Sequence, residues 1–376
     1  MNKILIFGAG KIGRAFIAQL FSNAGYQIVF VDPDLHLVNL LNQKNTYNVV
    51  VKGKNEEIIP VENISALHLS EKDAIIKEIC SASITATSVG LEGLHAVFPI
   101  LAEGLSARRK VKRTQLMDII IAENIRNAAD FFIKELKKYV KAEFPLDQSV
   151  GFVETSIGKM VPVMLEKDLR EDPLQLFTEE FNILLVDSDG FKSAIPEIEG
   201  LCPKKNFKAW VDRKFFIHNL GHASAAYFGF QAIPDEKMLW KVLQNPVVYR
   251  QTYHAMLQSA RIIQNKYPGE YSMNELHDHI LDLLDRFQNK YLNDTVYRVG
   301  CDLYRKLGKN DRLAGAINLG MEQDLPFNFI LNALIAGFQF RATDEKGMIL
   351  EADKVFFDEM DRIGIKNMFH KVTGIT

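Results

Sequence analysis

The first half of the chain contains short apolar runs of the kind that form strands buried on both faces of a sheet. The first two cover residues 4–7 and 27–31. Similar runs follow at residues 47–51, 65–69, 82–87, 117–122, 151–157 and 177–186. Because most of them are far enough apart for a helix to intervene, the pattern predicts an α/β fold with a doubly wound parallel sheet. The last run is predicted to be antiparallel or to lie at an edge of the sheet.

The second half has apolar residues at helical spacing instead. This pattern covers residues 210–231, 235–243, 247–266, 273–287 and 327–340. We therefore predict two domains, residues 1–195 with the sheet and residues 196–376 with a mostly α-helical fold. The most apolar of these segments, residues 327–340, is shorter than the roughly twenty residues that a membrane span needs, so no membrane association is expected.

Composition and charge exclude several classes of protein. The 376 residues carry 45 basic and 47 acidic side chains, whereas a nucleic-acid-binding protein usually has a basic excess. Cys80, Cys202 and Cys301 are too far apart for a disulfide framework or a zinc knuckle. No group of histidine, cysteine and carboxylate residues has the spacing of zinc ligands, so no metal is expected. Free thiols and the lack of an export signal predict a cytoplasmic protein.

A glycine motif follows the first predicted strand and opens a predicted helix. It is G-x-G-x-x-G, with Gly8 for a tight turn, Gly10 for close approach of a pyrophosphate and Gly13 for packing of helix on strand. The motif includes Lys11 and Ile12, whose backbone N–H groups would face the phosphates. Asp32 ends the second strand, where a carboxylate binds the ribose hydroxyls of NAD and repels the extra phosphate of NADP. The sequence thus predicts a Rossmann-type domain that binds NAD.

Three further polar residues are candidates for the same site. Ser88 and Asn124 follow predicted strands, and in open α/β sheets ligands bind beyond the carboxyl ends of the strands. Both are therefore expected near the cofactor. Arg14 follows the glycine motif, and two interpretations remain open for it: contact with cofactor or substrate, or a solvent-facing position on the helix.

Four polar residues lie close together at the start of the helical domain. At about 100° per residue, Lys214, His218, His222 and Asn219 fall near 0°, 40°, 80° and 140° on a helical wheel. The helix also carries apolar residues that belong in a core. Spacing alone leaves two interpretations open, a functional site or a solvent-reaching lysine beside a hydrogen-bonded core histidine.

The segment from Lys214 to His222 resembles the K-x-x-x-x-N-x-x-H motif of the polyol-specific long-chain dehydrogenases, also called the mannitol dehydrogenase family. Further matches to that family lie at residues 7–14, 122–124, 151–153, 286–289, 305–307 and 311–313. The resemblance implies metal-free oxidation of an alcohol with NAD. It makes Lys214 the general base, Asn124 and Asn219 the donors to a developing alkoxide, and His222 the residue that orients substrate hydroxyls or the carbonyl. His218 matches no functional position and is interpreted as a packing residue.

The substrate implied by the resemblance is a sugar alcohol or ketose phosphate, interconverted as mannitol 1-phosphate and fructose 6-phosphate. Two interpretations remain open for Arg298, Arg305, Lys306 and Arg312, which cluster in the helical domain: they bind its phosphate, or they are ordinary surface charges or internal ion pairs. At Gly158-Lys159 the chain departs from the Asp-Arg that family members commonly carry before a proline. Alternatives are a hexuronate (fructuronate or tagaturonate) reductase, a mannitol 2-dehydrogenase, or an NAD-binding regulator without turnover. No partner other than this small molecule is expected, and the protein is expected to be a monomer or a small homo-oligomer.

Overall fold

The computed structural model describes residues 2–53, 55–111, 116–162, 164 and 166–375. The chain divides into two compact units, Met1–Trp210 and Val211–Thr376. The division therefore lies beyond the predicted boundary near residue 195. The reason is that the segment Leu201–Lys204 still forms a strand of the sheet in the first unit.

The first unit is built on an eight-stranded sheet that confirms the predicted α/β fold. Its strands follow the order β11-β10-β8-β7-β6-β1-β2-β5. In chain order they are β1 Lys3–Phe7, β2 Gln27–Asp32, β5 Ile64–His68, β6 Ile84–Thr87, β7 Met117–Ile121, β8 Val150–Ile157, β10 Leu184–Asp187 and β11 Leu201–Lys204. The six strands from β8 to β5 are parallel, and β10 is antiparallel to β8.

Alternate residues of the central strands face opposite sides of the sheet. In β1, Ile4 and Ile6 belong to the core on one face, whereas Leu5 and Phe7 belong to the core on the other. All four are fully buried. Because helices cover both faces, every position of such a strand must be apolar, which explains the continuous apolar run in the sequence.

A separate three-stranded sheet contains β3 Thr46–Val51, β4 Glu57–Glu62 and β9 Leu176–Thr178. Two predictions are corrected here. The run 47–51 is a strand but pairs antiparallel with β4, since a short connection favours pairing of sequential strands. The run 177–186 is two strands, β9 in this small sheet and β10 in the large one.

Along the chain, the helices of the first unit alternate with the strands. They are α1 Gln19–Asn23, which continues a π-helical segment Gly13–Ala18, and α2 Leu35–Lys44, α3 Lys72–Ser81, α4 Gly90–Val111, α5 Ala128–Leu136, α6 Leu146–Ser149 and α7 Glu166–Glu171. The helix predicted after the 117–122 strand is shorter than residues 125–141, because turns occupy both of its ends.

The division of the chain falls within α8 Phe207–Arg213, and the second unit is otherwise helical, as predicted. A π-helical segment Lys214–Asn219 leads into α9 Leu220–Ala232, a helix buried along most of its length. The others are α10 Leu239–Val242, α11 Pro246–Lys266, α12 Met273–Phe287, a 3₁₀ turn Lys290–Leu292, α13 Val296–Gly300, α14 Leu303–Lys306, α15 Ala314–Glu322, α16 Asn328–Phe338, α17 Glu351–Ile363 and α18 Ile365–Thr373. Within the described residues, every helix is too short or too polar to cross a bilayer.

Candidate active site

The turn after β1 has the geometry expected of a dinucleotide-binding loop. Gly8 has a φ of +98°, and a Cβ there would come within 2.5 Å of the carbonyl oxygen of Ser88. A Cβ on Gly13 would come within 2.0 Å of the carbonyl oxygen of Gly8. Both positions therefore exclude any side chain, Gly8 through conformation and contact, Gly13 through contact alone.

Gly10 differs from both. It is exposed, and a Cβ there would have no neighbour within 4 Å. Packing of the chain against itself therefore does not require glycine here. The first helical residues after it are Lys11 and Ile12, and the backbone N–H groups at the start of a helix point toward any ligand bound there. Open space beside such N–H groups suits a phosphate-containing ligand, so the loop fits a dinucleotide.

The side chains of Asp32 and Arg14 both form hydrogen bonds with the backbone of this loop. The Asp32 carboxylate accepts hydrogen bonds from the backbone N–H groups of Ala9, at 2.7 Å, and Asp34, at 3.0 Å. Arg14 is buried, and its Nε donates to the carbonyl of Ala9 at 2.6 Å while Nη1 donates to the carbonyl of Leu174 at 2.8 Å. The solvent-facing interpretation of Arg14 is wrong, since its side chain is buried and bonds the backbone of the loop. Contact of Arg14 with cofactor or substrate stays a prediction.

The helix that follows the loop is π-helical at its start. A π turn shifts hydrogen bonding to the fifth residue and leaves a carbonyl without its usual helical partner. The hydroxyl of Tyr47 donates to the carbonyl of Arg14 at 2.8 Å and so satisfies a carbonyl of this segment. Tyr47 is 3% exposed, and the sequence had no signal for this role.

The two other predicted cofactor residues lie at the ends of β6 and β7. Ser88 donates through Oγ to the carbonyl of Gly8 at 3.1 Å, so its hydroxyl supports the glycine loop. Asn124 is exposed just beyond β7. Its neighbour Glu123 is buried, and its carboxylate accepts from the N–H groups of Val89 and Gly90, both at 2.9 Å, at the start of α4. Sequence reasoning did not identify Glu123 as a support for this turn.

In the second unit, the π-helical segment Lys214–Asn219 changes the arrangement expected from a regular helix. In an α-helix, Lys214 and Asn219 would be about 140° apart. A π turn joins residues five apart and therefore brings the two positions toward one face. The lysine and the amide thus lie closer in angle than the helical wheel predicted, and π turns often occur at functional sites.

This second π segment is also supported by a hydroxyl from another helix. Ser259 on α11 is fully buried and donates to the carbonyl of Phe216 at 2.5 Å. Both π segments in the part of the chain that the structure describes therefore have a carbonyl satisfied by a side chain from elsewhere in the same unit. Nothing in the sequence around Ser259 indicates this partner.

The ammonium of Lys214 is strongly affected by its surroundings. Burial lowers its pKa from 10.5 to about 7, with the charges of Arg312 and Arg305 acting in the same direction and Asp311 acting against them. A lysine with a pKa near 7 exists in both protonation states at neutral pH, as a general acid and base requires.

His222 lies eight residues after Lys214, on α9, and is half-buried. Its ring stacks on Phe287 with 4.7 Å between centroids and 14° between planes. Its Nε2 lies 3.1 Å from Oδ2 of Asp294. His218 is buried, and its ring lies 5.5 Å from that of Phe287. Burial lowers the pKa of His218 well below 6.5, in keeping with a packing residue.

The four predicted phosphate-binding cations are each already bonded within this unit. Arg298 pairs with Asp294, Arg305 with Asp302 at 2.5 Å, and Arg312 with Asp311 at 2.7 Å. Lys306 is buried and donates to the carbonyl of Val299 at 2.8 Å. Burial, assisted by the charges of Arg312 and Arg305, lowers the pKa of Lys306 to about 8. Three carboxylates therefore partly balance the positive charge of these four residues, and their role in binding a phosphate stays a prediction.

Lys159, where the sequence departs from its family, is 5% exposed. Its Nζ donates to Oδ1 of Asn182 at 2.7 Å and to Oε1 of Gln19 at 3.1 Å. Burial lowers its pKa to about 8, against the opposing charge of Glu179. The residue lines a cavity of about 830 Å³ in the first unit, whose rim includes Glu197 and other exposed glutamates.

No three histidine, cysteine or carboxylate side chains within the described parts of the chain form a group that could hold a metal ion. The polar groups of the two units are therefore a glycine loop with Asp32 in one and a lysine, amide and imidazole in the other. Together these features define the class: a Rossmann-type nucleotide-binding unit followed by a helical unit with acid–base residues.

Comparison with known families agrees with this class. The model of the mannitol dehydrogenase Rossmann domain matches residues 2–200, and that of the mannitol dehydrogenase C-terminal domain matches residues 206–368. The chain belongs to the mannitol dehydrogenase family.

Two solved structures share the fold across nearly the whole chain. A D-sorbitol dehydrogenase in substrate-free form is similar at a TM-score of 0.79 and 16% identity, covering 98% of this chain and 91% of that one. A Pseudomonas fluorescens mannitol 2-dehydrogenase, solved with NAD and D-mannitol, is similar at a TM-score of 0.77 and 16% identity, covering 99% and 86%. At this identity the likeness establishes the fold.

Proposed function

We propose that this protein is an NAD-dependent polyol dehydrogenase that interconverts mannitol 1-phosphate and fructose 6-phosphate, with Lys214 as general acid and base. The observation that carries the proposal is the environment of Lys214. Its pKa is lowered to about 7 by burial and by nearby arginines, and it begins the π turn that ends at Asn219.

The glycine loop and Asp32 hold the cofactor in this proposal. When bound, NAD supplies the acceptor for the hydride that leaves the carbinol carbon. Neutral Lys214 removes the proton of the reacting hydroxyl, so the alcohol loses one hydride and one proton and becomes a ketone. In the opposite direction, protonated Lys214 returns the proton to the oxygen. No metal ion is required for either proton transfer.

The amides and the imidazole act on the oxygen atoms of the substrate. Asn124 and Asn219 donate hydrogen bonds to the developing alkoxide, and such a donor contributes about 3 kcal/mol to transition-state stabilisation. His222, stacked on Phe287, positions the substrate through a further hydrogen bond.

The phosphate is assigned to the cations of the helical unit. Arg305 and Arg312 lie close enough to Lys306 and Lys214 to lower the pKa of both lysines. A dianionic group bound there would be stabilised by the same positive field. This field favours a substrate that carries negative charge at one end.

A second candidate is supported by the carboxylates beside those cations. Asp294, Asp302 and Asp311 each occupy one arginine, which weakens the attraction for a phosphate dianion. A free hexitol, as for a mannitol 2-dehydrogenase, or a singly charged hexuronate would suit such a balanced site better. Both use the same Lys214 chemistry.

The deciding experiment is NADH oxidation with fructose 6-phosphate, fructose, fructuronate and tagaturonate in parallel. A strong preference for fructose 6-phosphate supports the proposal. Preference for fructose or a hexuronate would replace it with the second candidate. NADH binding without turnover on any of the four would indicate a regulator instead.

The phosphate site has its own test. Arg305→Ala should raise KM for fructose 6-phosphate by about ten-fold or more, the effect of losing one charge-assisted hydrogen bond. The matched control is Arg362→Ala, because Arg362 pairs with Glu359 on α17 and is highly exposed. Equal KM values in wild type and Arg305→Ala would remove Arg305 from the site.

A further inference from the structure

The carboxylate of Asp294 lies between two residues of the proposed site. Its Oδ2 is 3.1 Å from Nε2 of His222, and its Oδ1 accepts from Nη2 of Arg298. The side chain is only 8% exposed. No motif in the sequence singled out Asp294, although its spacing of four residues from Arg298 is that of an ion pair on one helical face.

Asp294 is an ionised acceptor in this position. Burial acts to raise its pKa, but the hydrogen bond with His222 and the charge of Arg298 outweigh burial and hold the pKa below its ordinary value. A carboxylate in this state has no proton to donate. The proton of the contact with His222 must therefore reside on Nε2 of the imidazole.

The surroundings of His222 favour the neutral imidazole over imidazolium by lowering its pKa. Burial lowers its pKa below 6.5, and the bond to Asp294 opposes that shift without cancelling it. The charged groups that act on the ring are Asp294, Arg298 and Lys306, and two of these three are cations that disfavour imidazolium. A neutral imidazole with its proton on Nε2 has Nδ1 as an acceptor.

We propose that Asp294 is a positioning residue that holds His222 as the Nε2–H tautomer, so that Nδ1 accepts a hydrogen bond from a hydroxyl of the substrate. This inference rests on the proposed function, because it assumes that His222 contacts substrate. An acceptor at Nδ1 cannot bond the oxygen of a ketone, which has no hydrogen. His222 therefore binds a hydroxyl that is present in both alcohol and ketose, rather than the reacting carbonyl.

The stacking on Phe287 supports the same role. With 14° between the planes and 4.7 Å between centroids, the phenyl ring restricts tilt of the imidazole, and Asp294 restricts its rotation. Two constraints on one ring are typical of a group whose direction matters for binding.

The tautomer can be read without any enzymatic turnover. In full-length protein labelled with ¹⁵N-histidine, long-range ¹H–¹⁵N spectra distinguish Nε2–H, Nδ1–H and imidazolium forms. The signals of His222 are assigned by their loss in His222→Gln. We expect the neutral Nε2–H form at pH 7 to 8. An Nδ1–H or doubly protonated ring would overturn the proposal, whatever the protein catalyses.

Kinetics test the consequence for substrate. Asp294→Asn should lower kcat/KM for the preferred substrate by about 10- to 100-fold, the range for loss of a carboxylate that orients a metal-bound histidine. Asp294→Glu should recover part of it, while the Kd for NADH stays unchanged in both variants. The matched control is Glu359→Gln, a carboxylate that bonds Arg362 and Lys371 on α17 and α18.

The outcomes separate this inference from the proposed function. Asp294→Asn with wild-type kcat/KM, or with no recovery in Asp294→Glu, would overturn the positioning role. Full activity of Lys214→Ala would overturn the proposed function and leave the tautomer of His222 as an independent result.

Discussion

The charges beside Lys214 make its pKa adjustable in both directions by neighbouring substitutions. Arg312 lowers that pKa and Asp311 raises it. Nε of Arg312 and Oδ1 of Asp311 are 2.7 Å apart, so their effects on Lys214 partly cancel. Arg312→Gln leaves Asp311 uncompensated and should raise the pKa of Lys214 above about 7. Asp311→Asn leaves Arg312 uncompensated and should lower it.

The size of these shifts follows from Coulomb's law. An interaction of about 2 kcal/mol between two unit charges, a size expected in a protein at an effective dielectric constant of about 20, corresponds to about 1.5 pKa units. Lys214 is only half-buried by surface area, so solvent screening reduces the effect, and we expect about one unit in each direction.

The pH dependence of alcohol oxidation reports this pKa. Neutral Lys214 is the active base, so kcat/KM rises with pH below the pKa and levels off above it. In wild type the midpoint should lie near 7, given the value for Lys214. It should move up in Arg312→Gln and down in Asp311→Asn, irrespective of any change in the plateau. For ketone reduction the pH dependence is the opposite: kcat/KM falls as the pH rises through the pKa, because the protonated lysine is then the acid.

The control for nonspecific effects of charge is Arg362→Gln, since Arg362 pairs with Glu359 on α17. Its midpoint should equal that of wild type. Midpoints that move in the same direction in Arg312→Gln and Asp311→Asn would refute the electrostatic argument. If kcat/KM of Lys214→Met still rose with pH as in wild type, Lys214 would not be the base.

Three other predictions concern the first unit. Gly13→Ala should lower Tm because its Cβ would lie 2.0 Å from a carbonyl oxygen, whereas Gly10→Ala, with no neighbour within 4 Å, should keep Tm and weaken NADH binding in titration calorimetry. Asp32→Ser should reduce the ratio of kcat/KM with NAD to that with NADP, because the carboxylate that repels the extra phosphate is lost; an unchanged ratio would contradict that role. Between pH 8 and 10.5, Lys159 binds fewer protons in the folded protein than in the unfolded chain, so stability should rise with pH across this range. The free energy of unfolding, measured in urea, should rise by up to about 3 kcal/mol more in wild type than in Lys159→Met.

The cofactor loop illustrates what local sequence can predict. Gly8 and Gly13 are required by contacts within one turn of chain and the strand beside it, so their spacing predicts the geometry directly. Arg14 was not predictable in the same way. Its buried position depends on the carbonyl of Leu174, which lies far away in sequence.

In the helical unit, too, some features of the candidate site could be predicted from local sequence and others could not. Lys214, Asn219 and His222 form a pattern within nine residues and were recognisable. The π turn that rearranges them was not, because it depends on packing and on the hydroxyl of Ser259 from another helix. Asp294, which orients His222, comes from a loop about seventy residues later in the chain.

The sequence by itself determined the class of fold, the type of ligand expected at the first loop, and the residue types available for acid–base chemistry. Each of these depends on periodicity or on neighbours close in the chain, which sequence records. Tertiary structure decided which side chains are buried, and therefore the pKa values of Lys214, Lys159 and Lys306. Burial and charge at a given atom are sums over residues from many parts of the chain, and no local pattern encodes such a sum.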